Sequence, residues 1–521
     1  MKIDTPSAHV AERPLRRLAL LALLFVLAAC VPPAPSLIVT PTAAATATAT
    51  PAPAGEPAQP PAEPDDPAVY TAALRPEAAD EAALAGLTRY RLDVTVAPDL
   101  SRFGGSADIR YTNRAGAALD EIYVHLYPNL WAPVMQPGRV EVDGQPVTPR
   151  WQRGDFVLGI PLLAPLAPGA AADLHVLFDV VVPEEGVGNY DELAFKDGVL
   201  ALTHFYPTVA VYDAARGGWQ LDRPALQGDV IYHDVSLYDV RLTTADDVRA
   251  AATGVELARE TSPDGAAVWR FGGGPMRDFT ATLSREYEAA AETVDGVTYT
   301  SYFLPGDEIN GKAAPGIAAA AVELFEAEFG PYPYRELDIA ATGTTAGGIE
   351  YPGLIVIARD LYARPAGDAG FEMVIVHETA HQWWYGVVGN DQVNDPWLDE
   401  ALAQYSTYLY FAARYGKQAG EAFLATLDRR WERVERVEKP IGLPVSAYSE
   451  SEYSGIVYGR GPLFFVALRE RLGAERMAEL LRRYYAANTW GIAHPAEFEA
   501  LAEEVAGAPL DDLFDAWVYP P

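Results

Sequence analysis

Cysteine is all but missing from this sequence: the 521-residue chain holds one, Cys30. A lone thiol excludes an intramolecular disulfide and a thiolate metal cluster, so any metal site has to be built from His, Asp and Glu. Histidine is scarce as well, with 8 residues, which makes a close pair of them conspicuous. Positive charge is in deficit. With 39 Lys and Arg against 72 Asp and Glu, the formal charge of −33 opposes binding to nucleic acid and to anionic surfaces. No internal repeat is visible, and the apolar run at residues 18–29 is shorter than the roughly 20 residues a membrane-crossing helix needs.

That short run follows Arg13, Arg16 and Arg17 and ends in Leu27-Ala28-Ala29-Cys30. A basic start, an apolar centre and a small-residue exit read as a cleavable export signal over residues 1–29. Its last four residues resemble the lipobox of bacterial lipoproteins, which implies a lipidated Cys30 and an exported, membrane-anchored, extracytoplasmic protein. Each buried CH₂ of an acyl chain contributes about 0.8 kcal/mol, so a multiply acylated cysteine anchors stably. Residues 30–68 are rich in Pro, Ala and Thr without aromatic residues or periodicity, and read as a disordered tether.

The body of the chain changes texture once. Over residues 69–287, short alternating runs such as 90–96, 106–111 and 238–243 are separated by Gly, Pro and Asp, the pattern of an all-β, sandwich-like domain. Residues 288–521 carry long amphipathic runs at 313–329, 371–385 and 396–415, with strand-like stretches at 336–341 and 353–357. A mainly helical domain with a small sheet at its start is expected, and the fold class is multidomain α+β.

Within the run at 371–385 stands His377-Glu378-Thr379-Ala380-His381. Residues four apart share a helical face with Cβ atoms about 5 to 6 Å apart, so both imidazoles can meet one ion while Glu378 reaches a water beside it. The next helix is expected to open at Pro396 and to present Glu400 on its first turn, after a reversal near Gly386 or Gly389. Two imidazoles, one carboxylate and a water make an open four-coordinate zinc site, one ion per chain. His125, His175 and His233 lie in the β region and are expected at satisfied core or surface positions. Trp383, Trp384 and Tyr385 are expected to pack the helix rather than bind ligand.

These residues resemble the aminopeptidase N family of zinc metallopeptidases, which also includes leukotriene hydrolases. Glu400 stands in Trp397-Leu398-Asp399-Glu400-Ala401, similar to the family's WLNEG. Gly347-Gly348-Ile349-Glu350-Tyr351 is similar to its GAMEN or GGMEN, and Tyr458-Gly459-Arg460-Gly461 to its Y-x-K-G. The resemblance implies a β-sandwich-like domain followed by a thermolysin-like catalytic domain, with peptides as substrates. It implies substrate contacts for Gly347, Gly348 and Glu350, Glu350 taking the free α-amine, and an oxyanion-stabilising hydroxyl for Tyr458. Without it, Glu350 reads as an exposed acid in a turn, and Tyr458 is no better a candidate than Tyr453.

The sequence departs from the family pattern at Tyr351, Arg460, Asp399 and Ala401, where Asn, Lys, Asn and Gly are usual. At 202–207, His204 or Tyr206 stands where the family often has an amine-anchoring glutamine. The last helical stretch, 462–517, ends where relatives often continue into a helical carboxy-terminal domain, and a cleft open to longer peptides is expected. Two other readings remain at this point: an endopeptidase, and a non-catalytic peptide-binding lipoprotein with a degenerate peptidase domain.

Overall fold

The computed structural model describes residues 66–183, 189–225 and 227–520, so the expected signal, tether and Cys30 lie outside the described residues. Eight strands form the largest sheet: β1 (Thr88–Val96), β2 (Arg102–Thr112), β3 (Met135–Val142), β4 (Gln145–Pro146), β5 (Ala171–Val181), β6 (Ser236–Thr244), β7 (Val255–Thr261) and β8 (Ala267–Met276). Their order is β7-β8-β6-β1-β2-β5-β3-β4. The three stretches read as strands in the sequence are β1, β2 and β6. β1 alternates as its sequence demands, with Tyr90, Leu92, Val94 and Val96 buried. These side chains join one apolar core with Ile122, Val124, Leu158 and Ile160 of a four-stranded sheet, which gives the sandwich-like layering.

The second region opens on five strands: β9 (Glu288–Val294), β10 (Val297–Phe303), β11 (Glu336–Thr342), β12 (Gly348–Ile349) and β13 (Leu354–Ala358). They are ordered β9-β10-β11-β13-β12, so β12 is an edge strand. Strand β9 was not legible because it is rich in Ala and Glu and largely exposed. The helices of this region include α1 (Glu308–Phe329), between β10 and β11, and α2 (Ala369–Ala380), α3 (Glu400–Tyr415), α4 (Lys417–Glu432) and α5 (Gly461–Leu472) after the sheet. No helix among the described residues is long and apolar enough to cross a membrane.

A buried arginine ties the two regions. Arg277, just after β8, is 1% exposed and donates to the carbonyls of His233 (2.7 Å), Tyr385 (2.7 Å) and Gly491 (2.9 Å). Gly389 packs on its guanidinium, where any Cβ would overlap the Arg277 head group.

Candidate metal centre and active site

Asp368 starts α2 by accepting from the amides of Gly370 (3.0 Å) and Phe371 (3.1 Å). The helix is buried from Ile375 to Ala380 and stops at Ala380, earlier than its apolar run suggests, with His381 as the C-cap still in helical conformation. The chain then turns through wide bonds from the amides of Gly386, Val387 and Val388 to carbonyls five residues back. His377 and His381 therefore keep their four-residue spacing, with Nε2 atoms 3.3 Å apart and ring planes at 79°.

A short 3₁₀ turn, Pro396–Leu398, rather than a helix begun at Pro396, sets Glu400 as the first residue of α3. Glu400 Oε2 stands 3.3 Å from His377 Nε2 and 3.6 Å from His381 Nε2. It is buried without a hydrogen-bond partner. Bonds of about 2.0 to 2.2 Å to a tetrahedral ion separate its ligands by about 3.3 Å, so a triangle of 3.3, 3.3 and 3.6 Å around an orphaned oxygen fits zinc. The two imidazoles hold the Glu400 carboxyl well below the usual range, outweighing its burial.

The outer nitrogens are treated differently. His381 Nδ1 donates to Asp399 Oδ1 at 2.5 Å, which orients the ring with Nε2 toward Glu400. His377 Nδ1 has no hydrogen-bond partner. Asp399 Oδ2 accepts from Gln392 Nε2 (2.5 Å), and the same amide reaches Glu350 Oε1 (3.0 Å). One line of polar contacts thus runs from His381 to Glu350. Glu350 is buried, not the exposed turn residue its sequence suggested, and burial pushes its carboxyl up to about 8.

Glu378 lies on α2 against the edge strand β12. A Cβ on Gly348 would sit 2.6 Å from Glu378 Cγ, so glycine there is what lets the carboxyl approach the strand. The space beside Gly347 is looser, with Val374 3.5 Å from a built Cβ. Burial raises the Glu378 carboxyl well above its ordinary range. Tyr458, in the π-helical turn Ile456–Arg460, donates its hydroxyl to Glu400 Oε1, with the Arg430 guanidinium 5.6 Å from its ring centroid. The hydroxyl of Tyr453 is buried without a partner, and its ring packs on that of Tyr458.

Residues 314–517 match the profile of the peptidase family M1 domain. This chain carries a peptidase family M1 domain. That span contains Gly347, Gly348, Glu350, His377, Glu378, His381, Glu400 and Tyr458, but not His204 or Tyr206. Aminopeptidase M1-B of Oryza sativa subsp. japonica is 26% identical over 237 residues, 43% of this chain and 27% of the relative. Tricorn protease-interacting factor F2 of Thermoplasma volcanium is 25% identical over 225 residues, 40% of this chain and 28% of the relative. The chain therefore spans little more than a quarter of the length of these curated relatives. Among solved structures, an M1 zinc metallopeptidase from Deinococcus radiodurans superposes with a TM-score of 0.65 at 20% identity, covering 84% of this chain and 95% of its own. A mutant of that protein bound to a Tyr-ser-ala substrate gives 0.63 at the same identity and coverage. These likenesses establish the shared fold.

The departures of this M1 domain from the usual pattern have local reasons. Arg460 donates to the carbonyls of Lys439 (3.1 Å), Ala516 (2.7 Å) and Trp517 (2.8 Å), a fork that a lysine cannot reproduce. The side chain of Ala401 is accommodated because Gly461 faces it; a Cβ there would be 2.7 Å away. His204 lines the same small pocket as Glu350, Tyr351, Tyr385 and Gln392. Tyr206 does not: its hydroxyl donates to Tyr238 Oη (3.0 Å) inside the β core. Trp383 and Trp384 pack as expected, but Tyr385 reaches the pocket and donates to Asp278.

Sequence reasoning missed Asp229 and Gln392. Asp229 lies outside the M1 domain, lines the pocket with Glu350, and has a shielded, partnerless Oδ2. Burial, with the charges of Glu350 and Glu400, pushes its carboxyl up strongly. No local pattern marks either residue, since both act only through the fold.

Proposed function

We propose that this protein is a zinc-dependent peptidase that releases amino-terminal residues from peptides. The observation that carries the reading is the buried triangle of His377, His381 and Glu400, with Glu378 on one side and Glu350 beyond it. Zinc held there would polarise the scissile carbonyl and lower the pKa of a water. Glu378 would take the proton from that water and return it to the leaving amine. Tyr458, whose hydroxyl already points at the triangle, donates to the oxyanion. The edge of β12 offers backbone groups to an extended peptide, and Glu350 takes the α-ammonium. The leader and Cys30 support an exported, lipid-anchored setting for this activity.

A panel of aminoacyl amides assayed with and without chelator tests the reading. Hydrolysis lost to chelation and restored by zinc is expected; turnover indifferent to chelation overturns it. A free peptide should be cleaved far faster than its N-acetylated form. Equal rates would place the cut inside the chain and make the enzyme an endopeptidase. Asp399→Asn removes the charge behind His381, so zinc affinity or activity should fall about 10- to 100-fold in a competitive chelator titration. Unchanged affinity and activity would deny Asp399 that positioning role.

A further inference from the structure

Three buried side chains outside the His377–Glu400 centre converge in the β-rich region. His204 follows the strand Val199–Leu202, His233 precedes β6, and Asp278 follows β8. One donor atom of each lies within 4.8 Å of the other two. Exposure is 4% for His204, 2% for His233 and 0% for Asp278. His204 Nε2 is 3.6 Å from Asp278 Oδ2. Bonds of 2.0 to 2.2 Å place two tetrahedral ligands about 3.3 Å apart, so the set closes on one ion with shifts of about 1 Å or less.

A proton and a metal ion compete for this cluster. Burial opposes a charge on His204, but Asp278 and Glu192 outweigh it and raise the imidazole to about 9. Protonated, His204 would bridge Asp278 and Glu192, whose Oε2 is 3.5 Å from its Nδ1. That arrangement accounts for His204 alone. Both ring nitrogens of His233 and Oδ1 of Asp278 are buried without a hydrogen-bond partner, contrary to the satisfied position expected for His233. Burial drives His233 well below its ordinary pKa, so its ring is neutral and offers a lone pair.

The charges agree. Two carboxylates face His204, Asp278 at 3.6 Å and Glu192 at 3.5 Å. A divalent ion with neutral imidazoles cancels both, where one proton cancels one. His204 also holds a left-handed backbone, φ 46°, a conformation that non-glycine residues adopt at a cost and keep where the surroundings fix it.

We propose that His204, His233 and Asp278 bind a second divalent transition-metal ion of the zinc class, cross-linking three segments beneath the pocket that Glu350 lines. The test is a full chain carrying His377→Ala and His381→Ala, which lacks the first centre. Saturated with zinc, desalted and analysed for metal, it should retain one ion per chain and lose it when His233→Ala is added. Cobalt(II) in the same chain should give a ligand-field absorption that the added substitution abolishes, with circular dichroism checking that each variant is folded. A folded double variant that holds no zinc overturns the proposal, and so does one whose zinc survives His233→Ala. Neither readout depends on peptidase activity.

Discussion

Glu378→Gln is expected to leave the zinc content of the purified protein unchanged and to lower kcat about 10³-fold on aminoacyl amides. The two halves of that outcome have separate causes. Glu378 is not one of the three atoms of the 3.3, 3.3 and 3.6 Å triangle, and glutamine is its isostere, so the donor set survives. What disappears is the carboxylate that holds a proton between its removal from water and its delivery to the leaving nitrogen. The tight approach of Gly348 to Glu378 keeps the substituted side chain in place, which makes the comparison a chemical one. Full activity with bound zinc would sink the assignment of Glu378; loss of zinc would show that it helps hold the ion.

The second large effect concerns the seam between the two regions. Gly389→Ala should destabilise the protein by about 3 to 5 kcal/mol, read as a lower urea midpoint, because the new methyl group drives the Arg277 guanidinium off its carbonyls and leaves a charge buried without partners. Arg277→Met removes that charge. The pair Arg277→Met with Gly389→Ala should therefore lose clearly less than the sum of the single losses. Additive losses would mean that the glycine is not there for the arginine.

Helix α2 was legible because its evidence is local: His377, Glu378 and His381 declare their spacing in five residues, and α2 keeps that geometry although it ends at Ala380. Strands β1, β2 and β6 were legible for the same reason, since alternation is written in consecutive residues. Glu350 was misjudged as exposed because the residues that share its pocket, Gln392, Tyr385 and Asp229, lie far from it along the chain. Asp399 looked like a departure at a neutral position; the 2.5 Å contact with His381 makes it a partner of the imidazole. Strand β9 escaped notice because its exposed Ala and Glu carry no apolar alternation. Tyr458 and Tyr453 differ only in which hydroxyl reaches Glu400, a distinction set by a π-helical turn.

The contacts His381–Asp399–Gln392–Glu350 have a thermodynamic consequence. Gln392 spends its amide on two carboxylates at once, so whatever neutralises one of them changes what the other can give to its own partner. A cation settling on Glu350 frees Gln392 to lean on Asp399, and a metal settling on His381 acts back along the same path. Linkage requires the two influences to be equal: an amine-bearing ligand changes zinc affinity by the factor by which zinc changes the ligand's. Under the proposed function, the terminal amine of a peptide and the metal are effectors of one another.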